Sequence, residues 1–317
     1  MLQTPICSLL GIEYPIVQAG MARGYTSAPL VGAVSQAGGL GVLGCLDRPA
    51  EETAAEIHNI RALTSRPFAL NFVLDHLNED AFAASLAERT PVIMSFRGDP
   101  ATATARIHAA GALSIHQVTT LAEARQALAA GVDGLVAQGT EAGGHMGPWP
   151  LWSLLPAVVE AAGQTPVLAA GGIVDGRGLA AALCLGAQGV MLGTRFLATP
   201  ESPARPSHKE ALLRAEAGDL VASGMFDILW GSNWPGVRAR AIRNRLTGRW
   251  LGREEALRAD REAALLTLHQ AEAVDDPEEM VLLAGEGAAR ITAIVPAADL
   301  VRSIAAEAAA ILCALSR

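Results

Sequence analysis

The chain is poor in several things that would each open a class of function. Of its 317 residues only four are cysteine, and Cys7, Cys45, Cys184 and Cys313 lie far apart. No C-x-x-C pair occurs, so neither a zinc site nor a dithiol motif is expected. Each cysteine reads as a small core residue of a reduced compartment. There is a single lysine, Lys209, outside every strand-like run. That argues against Schiff-base chemistry, which needs an amine at a strand end. Basic residues are outnumbered by acidic ones, 24 to 32, and the net charge of −8 argues against a general nucleic-acid binder. No apolar run reaches the about 18 residues of a membrane span. The opening "MLQTPICSLLGI" lacks a basic region and a long apolar region, so no signal peptide is read and a cytoplasmic protein is expected. Aromatics make up only 4% of residues.

What the chain does have is a rhythm. Short apolar runs recur at Pro15–Gln18, Gly41–Leu43, Ala69–Val73, Val92–Ser95, Leu113–Gln117, Leu135–Gln138, Val167–Ala170 and Val190–Leu192. Alanine-rich helical segments separate most of them, such as "TLAEARQALAAG", which stops on Gly131. Eight strand–helix units in this length predict an α/β fold, a (β/α)8 TIM barrel. A doubly wound sheet, the alternative, normally has fewer strands. Residues 200–285 break the rhythm, first with three prolines in "TPESPARPSHKEALLRA" and then with an arginine-rich stretch, and are expected to form a helical insertion or lid after strand eight. Residues 1–199 and 286–317 then make the barrel, closed by a last helix at about Ala297–Leu315.

In such a barrel, chemistry sits at the C-terminal strand ends and phosphate sites form after strands seven and eight. There the sequence has "AAGGIVDGRG" and "MLGTRF". Gly171 and Gly172 allow an anion close to the backbone, and Gly193 and Thr194 add N–H groups and a hydroxyl. Two tight turns with nothing bound are the plain alternative. At the end of strand six stands "QGTEAGGH", which puts His145, near-neutral in its ordinary pKa, beside two glycines. Glu141 in this stretch reads as a cap or brace of the loop. His116, at the end of strand five, reads as a packed or hydrogen-bonded imidazole. The G-x-G-x-x-G match "GLGVLG" is refused as a dinucleotide fingerprint, because a helix precedes its strand and no acidic residue ends a following one. The run Arg238, Arg240, Arg243, Arg245 and Arg249 reads as a solvated helix face, with nucleotide phosphates as the alternative.

Taken together, "PIVQAGMA", "GGLGVLG", "PFALNFVL", "AQGTEAGGH", "AAGGI" and "GVMLGTRF" resemble the nitronate monooxygenases, formerly 2-nitropropane dioxygenases, over nearly the whole chain. The resemblance implies an FMN-dependent barrel enzyme with His145 as catalytic base and no metal. Gln138, Gly143 and Asn71 would contact FMN. Gly171, Gly172 and Met191, Leu192, Gly193 and Thr194 would hold its phosphate, and Ala19, Gly20 and Met21 would lie against the ring. Gly20 stands where many members have proline, which suggests a more flexible turn there. Trp149, Trp152 and Met21 would line an apolar pocket or pack in the core. The implied reaction is oxidation of an alkyl nitronate, or of a nitroalkane deprotonated by His145, to a carbonyl and nitrite with O2. The rivals are an NAD(P)H-dependent flavin reductase of quinones or enoyl thioesters, and a non-catalytic flavin-binding protein. Small-molecule partners are expected, without nucleic acid or membrane. The oligomeric state stays open, a homodimer included.

Overall fold

The computed structural model describes residues 2–315. Its strands, in chain order, are β1 (Ile16–Gln18), β2 (Gly41–Gly44), β3 (Phe68–Val73), β4 (Val92–Phe96), β5 (Leu113–Val118), β6 (Gly134–Gln138), β7 (Gly144–Met146), β8 (Val167–Ala170), β9 (Gly189–Leu192), β10 (Leu220–Ser223) and β11 (Arg238–Ile242). Eight of them form one parallel sheet in the order β1-β9-β8-β6-β5-β4-β3-β2. These are the eight runs read from the sequence, with ends shifted by at most a residue. Every residue of β2, β4, β6, β8 and β9 is buried, as expected of strands covered on both faces. The fold is a (β/α)8 barrel.

The last seam, between β1 and β2, is closed by a different device. Val17 and Leu40 form a single parallel bridge, with Gln18 N donating to Leu40 O at 2.9 Å. One step further the fully buried Gln18 side chain replaces a neighbouring backbone. Its Nε2 donates to Val42 O at 3.1 Å and its Oε1 accepts from Val42 N at 3.1 Å. The barrel interior is filled by Val17, Val42, Val92, Val136, Leu168 and their neighbours. Ile6 and Leu10 of the short helix Pro5–Leu10 join the same cluster.

Local signals set the helices. Thr120 and Glu123 form a capping box on Leu121–Ala129, and the Asp175 side chain accepts from Gly178 N at the start of Gly176–Cys184. The final helix, Ala297–Leu315, packs against Gly176–Cys184 and against Ala28–Gln36, completing the outer ring. In "GLGVLG" the glycines serve packing: a Cβ on Gly41 would lie 2.2 Å from Val31 O, in the helix that β2 covers. Lys209 is spent on structure, its Nζ donating to Thr199 O and Ser202 O at 2.8 Å.

Three expectations need correction. The segment after β9 carries helices such as Pro206–Arg214 and Arg261–Val274, but it is not all helical. It contributes β10 and β11, which join β7 in a second, antiparallel sheet of order β10-β11-β7. The arginine run therefore does not share one helix face. Arg238 and Arg240 lie on β11, and Arg240 is buried, paired with Glu286 and donating to Thr140 O at 2.8 Å. Arg249 pairs with Glu279 at 2.8 Å, and Arg245 pairs with Asp276 at 3.2 Å. Cys7 and Cys45 are core residues, whereas Cys184 and Cys313 are exposed. Among the described residues no helix is long and apolar enough to cross a membrane.

The seam yields a stability test. Gln18→Leu keeps the volume but strands a buried N–H and a buried C=O of Val42. Each such group costs about 1–3 kcal/mol. The urea midpoint of the variant should fall accordingly. An unchanged midpoint would mean that the Val17–Leu40 bridge closes the seam unaided.

Candidate active site

The C-terminal ends of the barrel strands open into one cavity of about 1230 Å³ including its mouth. All the residues expected to touch the cofactor line it: Ala19, Gly20 and Met21 after β1, Asn71 on β3, Gln138 at the end of β6 and Gly143 beyond it, Gly171 and Gly172 after β8, and Met191 to Thr194 at the end of β9 and just beyond. His145 lines it too.

The glycines explain how the backbones meet there. Gly171 and Gly172 have φ of +109° and +70°, a region that glycine enters without steric cost. Gly20 is not a loose turn. A Cβ there would sit 2.5 Å from Asn71 Cβ, so the missing side chain lets Asn71 reach the cavity floor. Gly143 answers a third demand: its Cβ would lie 2.6 Å from the backbone of Ala284 and Gly285. The chain returning from the insertion crosses here, and Glu286 N donates to Glu141 O at 2.9 Å. Glu141 itself accepts from Leu151 N at 2.9 Å, bracing the start of the helix Leu151–Ala162 as expected.

His145 lies not in a loop but in the middle of β7, opposite Ala239 of β11. Antiparallel pairing fixes which way its side chain points. Its Nε2 is 2.7 Å from Asp227 Oδ1, and the two side chains are 15% and 10% exposed. Asp227 stands on the helix Met225–Trp230, one turn after β10. An ionised carboxylate only accepts, so Nε2 carries the proton and Nδ1 the lone pair. The Trp234 ring stacks on the imidazole with centroids 3.9 Å apart and planes 13° apart. His76 covers Trp234 at 4.6 Å. An imidazole held by a carboxylate and an aromatic face is fixed in orientation, as the geometry of a general base requires.

Asp227 and Trp234 were not legible in the sequence. Asp227 is 82 residues from His145. The only local hints are a lone acid inside the apolar "MFDILW" and the turn-forming "NWPG". Trp149 and Trp152, expected in the pocket or core, are in neither: they are 42% and 68% exposed. They flank a helix start that Glu141 ties to the outside of the barrel. His116 is a buried core imidazole, its Nδ1 2.7 Å from Ser95 Oγ, and burial pulls its pKa down to about 4. Cys45 lines the cavity, but burial pushes its thiol up to about 12, so it stays protonated.

Two of the polar side chains in the lining have hydrogen-bonding capacity to spare. Gln138 Oε1 is buried without a partner. Thr194 Oγ1 accepts from Gly285 N at 3.0 Å, which leaves its own proton to donate. Both belong to a site able to hold a polar ring edge and an anion.

Residues 3–307 match the family described as nitronate monooxygenase. A dehydrogenase of a hydroxy-methyl-oxo-octahydroindene carboxyl-CoA from Mycobacterium tuberculosis is 40% identical over 71% of this chain and 64% of its own length. The chain thus spans just under two thirds of that relative. Among solved structures, FabK from Thermotoga maritima superposes with a TM-score of 0.91 at 32% identity, over 100% of this chain and 99% of that one. Nitroalkane oxidase from Streptomyces ansochromogenes gives 0.85 at 32% identity, over 98% and 99%.

The two glycines before His145 should respond differently to a methyl group. Gly143→Ala overpacks against Ala284 and Gly285, at a cost of about 1–3 kcal/mol, and pushes β7 from β11. Gly144→Ala meets no atom within 4 Å and pays only for its φ of +66°, about 1 kcal/mol. Urea midpoints should rank wild type, Gly144→Ala, then Gly143→Ala. The reverse order would refute the crossing as the reason for Gly143.

Proposed function

The chain belongs to the nitronate monooxygenase family, whose members are flavin-dependent oxidoreductases, and on that premise we propose that it oxidises alkyl nitronates, and nitroalkanes through them, to carbonyl compounds and nitrite. FMN is the proposed cofactor and O2 the co-substrate. The observation that carries this reading is the oriented pair His145–Asp227, set at 2.7 Å on a cavity whose other wall is glycine turns.

The residues fit a flavin mononucleotide. The unpartnered Gln138 Oε1 supplies an acceptor for a ring N–H, and Asn71 and Gly143 border the same region. The amides of Gly171, Gly172, Gly193 and Thr194, with the Thr194 hydroxyl, supply donors for a phosphate without a cationic side chain. Ala19, Gly20 and Met21 offer a thin backbone wall for the ring. When bound, the flavin supplies an electron acceptor for the substrate carbon and a path for electrons to O2.

The protein's own part is proton handling and exclusion of water. His145 Nδ1 takes the proton from the carbon that bears the nitro group. Asp227 holds the imidazole in that tautomer and stabilises its charged form. Trp234 stacks against the ring and keeps it from rotating. A substrate arriving as the nitronate has already lost its proton and uses His145 only as an electrostatic and hydrogen-bonding partner.

A second reading, redox chemistry beside an acyl thioester with a pyridine nucleotide, is favoured by the apolar cluster of Leu46, Val73, Phe96 and Trp234 in the cavity lining, which suits an acyl chain. The likeness to FabK and to a carboxyl-CoA dehydrogenase points the same way. Anaerobic mixing with NADH, NADPH and an alkyl nitronate in separate syringes divides the two. Bleaching of flavin absorbance by nitronate alone is the expected result; bleaching by a nicotinamide, without nitronate activity, would move the protein to the second reading.

Two predictions follow from the assigned roles. Thr194→Glu places a carboxylate beside the phosphate, a repulsion of about 4 kcal/mol at 4 Å and an effective dielectric of about 20. FMN affinity, followed by fluorescence on reconstitution, should drop by roughly 10²–10³. Undiminished affinity in the folded variant would put the phosphate elsewhere.

His145→Asn should retain the flavin and lose roughly 10²–10⁴ in turnover of neutral nitroalkanes, with a smaller loss on pre-formed nitronates. Asp227→Asn should show the same asymmetry to a lesser degree, because the base remains but its charged form is no longer stabilised. Equal losses on both substrate forms would contradict proton abstraction as the role of the pair.

A further inference from the structure

Four residues lining the cavity, Leu46, Val73, Phe96 and Trp234, belong to one apolar cluster. Val73 and Phe96 are the last residues of β3 and β4, Leu46 lies two positions beyond β2, and Trp234 comes from the loop between Trp230 and β11. Trp234 also stacks on His145, so the cluster begins beside the base. Among the described residues, no Lys, Arg, Asp or Glu side chain lines the cavity. Its titratable groups are Tyr25, Cys45 and His145, and burial keeps the Tyr25 hydroxyl and the Cys45 thiol protonated, both pushed up to about 12. The charges close by are already used. Arg97 sits over Trp234, 5.7 Å from the ring centre, outside the lining and paired with Asp75 at 2.8 Å. Asp227 is held by His145.

We infer that this site selects its substrates by the tail: it takes nitro compounds and nitronates on uncharged alkyl chains and rejects those that carry a carboxylate. This rests on the proposed reading for the head group only. One negative charge at the head is met by His145 once it holds a proton. A second charge on the tail would be buried among Leu46, Val73, Phe96 and Trp234 with no partner, and an unpaired buried charge is heavily disfavoured. Each methylene of an alkyl tail instead gains by leaving water.

The test uses the flavin-loaded protein, titrated anaerobically in a calorimeter with nitroethane, 1-nitropropane, 1-nitrobutane and 3-nitropropionate. Affinity should rise about three- to fourfold per methylene along the alkyl series. The carboxylate compound should bind about a hundredfold more weakly than 1-nitrobutane, or worse. Steady-state oxidation of the matching nitronates should rank in the same order. Phe96→Ala should weaken 1-nitrobutane and leave nitroethane nearly unchanged. Leu46→Arg puts a counter-ion at a half-buried position of the cluster and should shift the preference toward 3-nitropropionate by about tenfold or more. Binding of 3-nitropropionate within about tenfold of 1-nitrobutane by the wild type would overturn the inference. So would an unchanged preference in a Leu46→Arg variant that folds and keeps its flavin. If the binding order holds but no nitronate is oxidised, the nitronate reading fails and the tail selection stands.

Discussion

A parallel strand cannot leave its amides unpaired in a core, and this demand organises the molecule. Seven of the eight seams of the barrel meet it with backbone ladders. The eighth, between β1 and β2, has one bridge and then the Gln18 side chain, whose amide serves Val42 as a neighbouring peptide would. Closure brings the C-terminal ends of all eight strands to one rim. The residues after β1, β6, β8 and β9 then face a common space even though they are far apart in sequence. Because several of those residues are glycines, the space stays open instead of filling with side chains.

The barrel supplies half of the site and the segment after β9 supplies the rest. A three-residue strand such as β7 would be marginal alone. It is held because β11 pairs with it and β10 pairs with β11. That small sheet sets His145 in register, and the helix after β10 delivers Asp227 to it. The returning chain crosses Gly143 so closely that even a methyl group there would push the two backbones apart. Arg240, bonded to both Glu286 and Thr140 O, ties the same crossing together from the insertion side. The imidazole of His145, the Asp227 carboxylate and the Trp234 indole thus meet only once this small sheet and the segments around it have packed onto the barrel rim.

The electrostatics of the cavity fit this division. Charge is confined to one buried pair, where the imidazole and the carboxylate satisfy each other. The remaining lining is backbone and side-chain amides, the Tyr25 and Thr194 hydroxyls, the Cys45 thiol and apolar side chains. Such a lining binds an anion through backbone dipoles at the glycine turns and offers hydrocarbon to the remainder of a ligand. Burial also keeps Cys45 and Tyr25 in their neutral forms.

The sequence by itself determined the barrel, because strand burial on both faces writes an apolar run and each helix stop writes a glycine or a cap. It also determined which turns line the cavity, since "QGTEAGGH", "AAGGI" and "MLGTRF" are contiguous and the fold places their ends together. Gly20 was misread as freedom, where its neighbour Asn71 needs its emptiness. The exposed Trp149 and Trp152 were misread as pocket or core because a large apolar side chain carries no mark of which way it faces. Only the tertiary structure decided the rest. β10 and β11 are no shorter than β8 and β9, but they are mixed in pattern and stand outside the strand–helix rhythm, and they form by pairing with each other and, through β11, with β7. Asp227 and Trp234 reach His145 across 82 and 89 residues of chain, and no local rule of spacing survives such a separation. Those contacts exist because packing puts them there, and a sequence read element by element contains no term for it.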